Sequence, residues 1–150
     1  DVDVQHHEPC IASAGLPFAF AAVNSREALS QANPQVGAFD QYLPADQAAG
    51  LCLYHHAPGG MVDVHARVFA PLHGVPEDPA TGSANVALAG LLATTAPDDK
   101  FTLERTVAQG VDMGRPSLLF IAADKSDGAV TATRVGGRCV PVMSGTFLLD

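Results

Sequence analysis

Glu77 and Asp78 are adjacent carboxylates in a loop, with Thr81, Gly82 and Ser83 close behind them. The full stretch runs Arg67-Val68-Phe69-Ala70-Pro71-Leu72-His73-Gly74-Val75-Pro76-Glu77-Asp78-Pro79-Ala80-Thr81-Gly82-Ser83-Ala84-Asn85 and continues through Leu92. Thr81 or Ser83 can cap a helix that begins at once. The first N–H groups of a helix have no internal partner and carry partial positive charge. They can hold a carboxylate through the backbone alone. Gly82 lets a ligand approach the chain closely. An Asp beside such a site can act as a general base, and Ser83 can cap the helix, donate to a ligand, or both. By spacing alone, the same residues also make an ordinary capping turn, because Asp-Pro starts turns and Thr or Ser caps helices.

The flanking pattern supplies the elements that must hold these groups. Val62, Val64, Ala66 and Val68 alternate with Asp63, His65, Arg67 and Phe69, the period of a strand. Pro71, Gly74, Pro76 and Pro79 are then expected to forbid regular structure. From Ala84 to Ala96 there is no charged residue. A helix over 83–94 is therefore expected, apolar all round and buried. On that expectation both carboxylates aim at the N-terminus of a helix inside the core.

Gly74 to Ala84 resembles the signature of the PhzF-like family of phenazine-biosynthesis isomerases, which has the diaminopimelate epimerase fold. The flanks are similar too: Arg67-Val68-Phe69-Ala70-Pro71 before the motif, Gln109-Gly110 and Gly114-Arg115-Pro116-Ser117 after it. The resemblance covers most of the chain but only the C-terminal half of the family. The family's N-terminal half, with a catalytic glutamate and a glycine-flanked histidine, has no counterpart here. What the resemblance implies is half of a cofactor-independent isomerase site, moving a proton on a small carboxylate-bearing substrate between two similar halves. Carried over by position, Asp78 is an acid/base or orienting carboxylate and Ser83 a catalytic hydrogen-bonding group. Gly82 and Ser83 would bind the substrate carboxylate through their N–H groups. No metal or other cofactor is implied.

The related amino-acid epimerases use two cysteines, and none of Cys10, Cys52 or Cys139 lies in the motif. The Ser13-Ala14-Gly15-Leu16-Pro17 turn resembles a family segment that borders the cleft. Arg115 can bind a carboxylate bidentately, fix its own turn, or pair with Asp112. The isolated half is expected to be inactive. Its partner would be the missing N-terminal half or another chain, a second copy in a homo-oligomer included. A small-anion binding module and a structural half without turnover use the same loop. The opening Asp1-Val2-Asp3-Val4, without Met, is what a cleavage product or the second segment of a longer protein would show.

Composition narrows the classes. The chain has 150 residues, 47% of them hydrophobic and 16% charged. That length fits a single domain over 1–150, able to bury roughly 68–70% of its unfolded surface. With aromatic content at 6% and no Trp, the core is expected to be built from Ala, Val and Leu. Net charge is −8 and the eight basic residues are scattered. Nucleic-acid binding and attachment to an anionic membrane are excluded on that ground. Three well-separated cysteines fit small buried hydrophobes in a reducing compartment, the cytoplasm.

In chain order, short strands are expected at 2–5, Cys10 to Ser13 and Leu16 to Val23. A helix capped by Asn24 or Ser25 follows and ends at Asn33-Pro34. Val36 to Tyr42 leaves helix and strand open, and Pro44 to Ala49 adds a short helix. Leu51 to His56 and Val62 to Ala70 form a hairpin. After the apolar helix, four strands are expected: Phe101 to Val107, Pro116 to Ala123, Ala129 to Val135 and Cys139 to Leu149. Asp124 to Gly128 and Gly136-Gly137 are read as turns, and Pro116 to Ala123 as a central strand. His6-His7-Glu8 fits an exposed linker better than a chelate. His55, His56 and His65 fit half-buried strand positions. The fold class is α+β, mostly antiparallel strands wrapped around one buried central helix, one half of a diaminopimelate epimerase-like fold.

Overall fold

The computed structural model describes residues 1–148. It is a mixed α+β structure. The strands are β1 (Val2–Asp3), β2 (Cys10–Ser13), β3 (Pro17–Val23), β4 (Leu51–His56), β5 (Val64–Ala70), β6 (Val75–Asp78), β7 (Phe101–Gln109), β8 (Ser117–Ser126) and β9 (Ala129–Gly137). The helices are α1 (Arg26–Ser30), α2 (Val36–Tyr42) and α3 (Gly82–Thr95). All nine strands join one sheet whose main path is β1-β3-β4-β5-β7-β8-β9. β2 shares β3 with β1, and β6 shares β5 with β7. Two pairings are parallel, β3 with β4 and β5 with β7, and the others are antiparallel.

Local sequence explains most boundaries. Ser25 caps α1 by accepting from the Ala28 N–H at 3.0 Å. The β8–β9 hairpin turns at Asp127-Gly128, both at positive φ (52° and 75°), which suits a tight two-residue hairpin. β4 and β5 pair from Leu51↔Phe69 to His56↔Val64.

The apolar helix forms as Gly82–Thr95. It packs on β8 and β9 and also meets β2, β3 and β7. Ala84, Asn85, Ala87, Leu88, Ala89, Leu92 and Ala93 are buried, while Val86, Gly90 and Leu91 are only half-buried. The sheet comes close at Gly90, where an added Cβ would lie 3.3 Å from the Thr133 methyl. Leu88 is fully buried, and such a side chain contributes about 1.5–3 kcal/mol. Aromatics carry more of the core than their number implies, since Phe18, Phe20, Tyr54 and Phe69 are all buried.

Several expectations are corrected. The short helix expected at 44–49 does not form, while Val36–Tyr42, left open between helix and strand, is helical. Gly136 and Gly137 are no turn: they continue β9 opposite Phe120 and Leu119. Residues 138–148 form no strand in the structure, and Leu149, the last residue of that expected strand, lies outside the described residues. Among the described residues three strands, not four, therefore follow α3. β8 is flanked by β7 and β9, but Leu118 and Phe120 are exposed, so only one of its faces is core. His7 is not in an exposed linker. It is half-buried, with Nε2 2.5 Å from the Tyr54 hydroxyl. Among the described residues, no helix is long and apolar enough to cross a membrane.

Candidate active-site loop

β5 runs into a short 3-10 turn, Pro71–His73, closed by Gly74 at φ 75° with its N–H donating to the Pro71 carbonyl. The chain then turns back as β6, which pairs with β5 through a bulge between Val68 and Ala70. The prolines do not forbid this strand, because it lies outside the main path of the sheet, where a missing N–H is tolerated.

Glu77 does not face the helix. It forms a two-point ion pair with Arg67, Nε to Oε1 and Nη2 to Oε2 both at 2.9 Å. The remaining Arg67 nitrogen donates to the carbonyls of Leu29, Ser30 and Ala32 at the end of α1, and the guanidinium lies over the Phe69 ring at 4.8 Å. The hydrogen bonds that Arg67 donates to Glu77 hold its pKa above the ordinary value. Glu77 is thus committed to structure.

Asp78 is held differently. Its Oδ2 accepts a hydrogen bond from the Thr81 hydroxyl at 2.6 Å. Thr81 stands at the N-cap position of α3, yet its side chain makes no capping bond to the helix, and Ser83 lies inside the helix. The expected hydroxyl cap is therefore absent. Thr81 is held instead by Gln109, which lies outside the loop's own sequence. The Gln109 side chain is fully buried. Nε2 donates to the Asp78 carbonyl at 2.7 Å and to Thr81 Oγ1 at 2.9 Å. Oε1 accepts from the Thr81 N–H at 3.3 Å and from Asn85 Nδ2 at 2.7 Å. Asn85 Nδ2 also donates to the Thr81 carbonyl at 2.9 Å, while Asn85 Oδ1 is buried with no partner among the described residues. In the sequence Gln109 stood out only through Gln109-Gly110, one of the flanks that resemble the family.

Gly110 makes this approach possible. It has φ 74°, and a Cβ there would lie 2.3 Å from the Arg115 carbonyl oxygen and 2.9 Å from Pro79. The 110–115 turn is closed by the Arg115 N–H on the Gly110 carbonyl at 2.9 Å. Asp112 pairs with Arg26 at 2.8 Å and approaches Arg67 at 3.9 Å, not Arg115.

Gly82 and Ser83 open α3, and both are half-buried, as is Asp78. Among the described residues, nothing accepts from the N–H groups of Gly82, Ser83 or Ala84. A Cβ at Gly82 would meet only Val135 Cγ1, at 3.9 Å, so this chain's own packing does not require the glycine. A cavity of about 450 Å³ lies beside it, lined by Ala80, Gly82, Ser117, Val135, Arg138 and Cys139, among others. Asp78 and Ser83 are not among its lining residues. The structure therefore brings Asp78, Gly82 and Ser83 to the junction of β6 with α3 without placing all three on one cavity wall. Elsewhere, His55 Nδ1 lies 3.0 Å from the Val23 carbonyl, and no cluster suited to a metal occurs among the described residues.

The profile of the phenazine biosynthesis-like protein family, PhzC-PhzF, matches residues 2–145. An uncharacterized isomerase of Mesorhizobium japonicum is 28% identical over 156 residues, covering 99% of this chain and 51% of that protein. A trans-2,3-dihydro-3-hydroxyanthranilate isomerase of Pseudomonas chlororaphis is 40% identical over 84 residues, covering 56% of this chain and 30% of that one. The chain spans about half the length of the first of these relatives and less of the second. The crystal structure of a Bacillus anthracis phenazine biosynthesis protein of the PhzF family is similar with a TM-score of 0.72 at 20% identity, covering 91% of this chain and 50% of that one. That likeness shows a shared fold.

Proposed function

The chain belongs to the phenazine biosynthesis-like family, and on that premise we propose that it carries one half of a cofactor-independent isomerase site. The substrate is a small carboxylate-bearing molecule. The reaction takes a proton from one carbon and returns one to another, the electron pair staying in the substrate. Asp78 is the acid/base or orienting carboxylate. The N–H groups of Gly82 and Ser83 hold the substrate carboxylate at the start of α3, and the Ser83 hydroxyl hydrogen-bonds to it. One observation carries this assignment: among the described residues, a carboxylate with a single local partner sits beside unpartnered helix N–H groups, next to a glycine that the chain's own packing does not require.

The strands curl about α3 as a central helix, and its half-buried side is closed by the remaining half of the protein or by a second copy. The principal acid/base residue comes from that other half, so the isolated chain does not turn over. Cytoplasmic residence belongs to the same proposal, since none of Cys10, Cys52 and Cys139 is in a disulfide.

The test follows solvent deuterium incorporation at carbon α to the carboxylate. Probes are trans-2,3-dihydro-3-hydroxyanthranilate, the substrate named for the Pseudomonas relative, and a panel of other small acids. The chain is assayed alone and mixed with a polypeptide carrying the family's N-terminal half. Exchange is expected only in the mixture and should fall about 10²–10⁴-fold in Asp78→Asn. Exchange by the chain alone, or an unchanged rate in Asp78→Asn, overturns the assignment.

A further inference from the structure

We propose that Gln109 is a positioning residue that fixes the direction of the Thr81 hydroxyl, so that Asp78 is presented with Oδ2 already bonded and Oδ1 left for proton exchange. The role in exchange rests on Asp78 being the working carboxylate; the hydrogen-bond direction itself does not.

Direction follows from backbone groups, whose identity is unambiguous. The Thr81 N–H faces one end of the Gln109 amide, so that end is the oxygen. The Asp78 carbonyl faces the other end, so that end is the nitrogen. Asn85 is oriented in the same way, its nitrogen lying against the Thr81 carbonyl as well as Gln109 Oε1. Gln109 Nε2 has a second hydrogen, and it points at Thr81 Oγ1. A hydroxyl that accepts there has one proton left to give. Asp78 Oδ2, at 2.6 Å, takes it. Hydrogen bonds therefore run from Asn85 to Gln109, to Thr81, to Asp78. Asn85 and Gln109 are fully buried, so water does not compete for the bond between them, and Thr81 and Asp78 are half-buried. Asp78 Oδ1 has no hydrogen-bond partner among the described residues.

Glutamate at position 109 has the same shape and no donor when ionised. In Gln109→Glu the Thr81 hydroxyl is drawn toward residue 109 and away from Asp78.

The 150-residue chain is studied by NMR, which requires no turnover. Wild type should show a resolved, slowly exchanging Thr81 hydroxyl proton. Exchange should speed up about tenfold or more in Gln109→Glu, reflecting the lost charge-assisted bond. Thr81→Ser should keep a protected hydroxyl proton. A purely structural Gln109 would lower melting temperature while leaving that proton protected in the folded population. Wild-type protein alone also decides, should Gln109→Glu not fold: deuterating the Thr81 hydroxyl must shift the Asp78 carboxyl carbon resonance. Equal protection in wild type and Gln109→Glu, or the absence of that isotope shift, overturns the proposal.

Discussion

The Gln109 side-chain carbonyl accepts a hydrogen bond from the Asn85 amide at 2.7 Å, with both side chains fully buried. This bond ties the last residue of β7 to the second turn of α3, across the loop that carries Asp78. Gln109→Leu keeps volume but orphans the Asp78 carbonyl, the Thr81 N–H and one Asn85 hydrogen. A stability loss of about 3 kcal/mol is expected in urea denaturation. Asn85→Ala combined with it should cost less than the sum, by ~1 kcal/mol, because both break one bond.

Arg67 concentrates the second network. Arg67→Met removes the two-point pair with Glu77 and the cation that gathers three carbonyls from the end of α1. Glu77 is then left as an uncompensated, half-buried carboxylate. The expected loss is about 3–5 kcal/mol by chemical denaturation. Arg67→Lys should recover only part of it, since an ammonium cannot make the planar fork.

Gly74 and Gly110 share nearly the same φ, 75° and 74°, but not the same surroundings. Nothing lies within 4 Å of a Cβ built on Gly74, whereas one on Gly110 meets Arg115 and Pro79 backbone. Gly74→Ala should cost about 1 kcal/mol, the left-handed penalty alone. Gly110→Ala should cost about 3 kcal/mol by adding overlap. Thermal melts of the two variants side by side check the difference.

Stability should fall as the solution becomes acidic. Burial lowers the pKa of His56, with repulsion from His6 and opposition from Asp3, and His55 and Arg105 also nearby. Burial likewise lowers His65, with repulsion from Arg26 and His55 and opposition from Asp112. The folded state therefore prefers neutral rings, and the unfolded chain takes up protons first. The stabilisation is full above about pH 6.5 and is lost as pH drops from there toward the folded-state values. The urea midpoint should be lower at about pH 5 than at about pH 7.5, and His56→Gln with His65→Gln should flatten that slope.

These particulars mark how far the sequence could be read. Asp127-Gly128 was legible as part of a turn because the turn's chemistry is local. The absence of charge from 84 to 96 likewise revealed α3. Gly136-Gly137 misled because glycine also continues a ladder opposite large side chains, here Phe120 and Leu119. Val75–Asp78 was hidden by its prolines, which an edge position tolerates. By residue type Glu77 and Asp78 look alike; the family resemblance singled out Asp78, and the fold assigns Glu77 to Arg67 and Asp78 to Thr81. The role of Gln109 depends on partners far away in sequence, and no local pattern encodes that.

Gly82 separates a structural loop from a working one. It is the first residue of α3, is not at positive φ, and has room for a methyl group beside Val135. Alanine is a better helix former and less flexible when unfolded. Gly82→Ala should therefore leave stability unchanged or raise it by about 0.5–1 kcal/mol. If the first N–H groups of α3 hold a substrate carboxylate, the same methyl group stands where the ligand must approach. Exchange activity of the complete two-half protein should then drop by about tenfold or more, mainly through a higher KM, because the lost contact is made in ground state and transition state alike. A melt and a steady-state assay on one preparation read both effects. A stabilised Gly82→Ala protein with undiminished activity would show that α3 begins with glycine for reasons unrelated to a ligand.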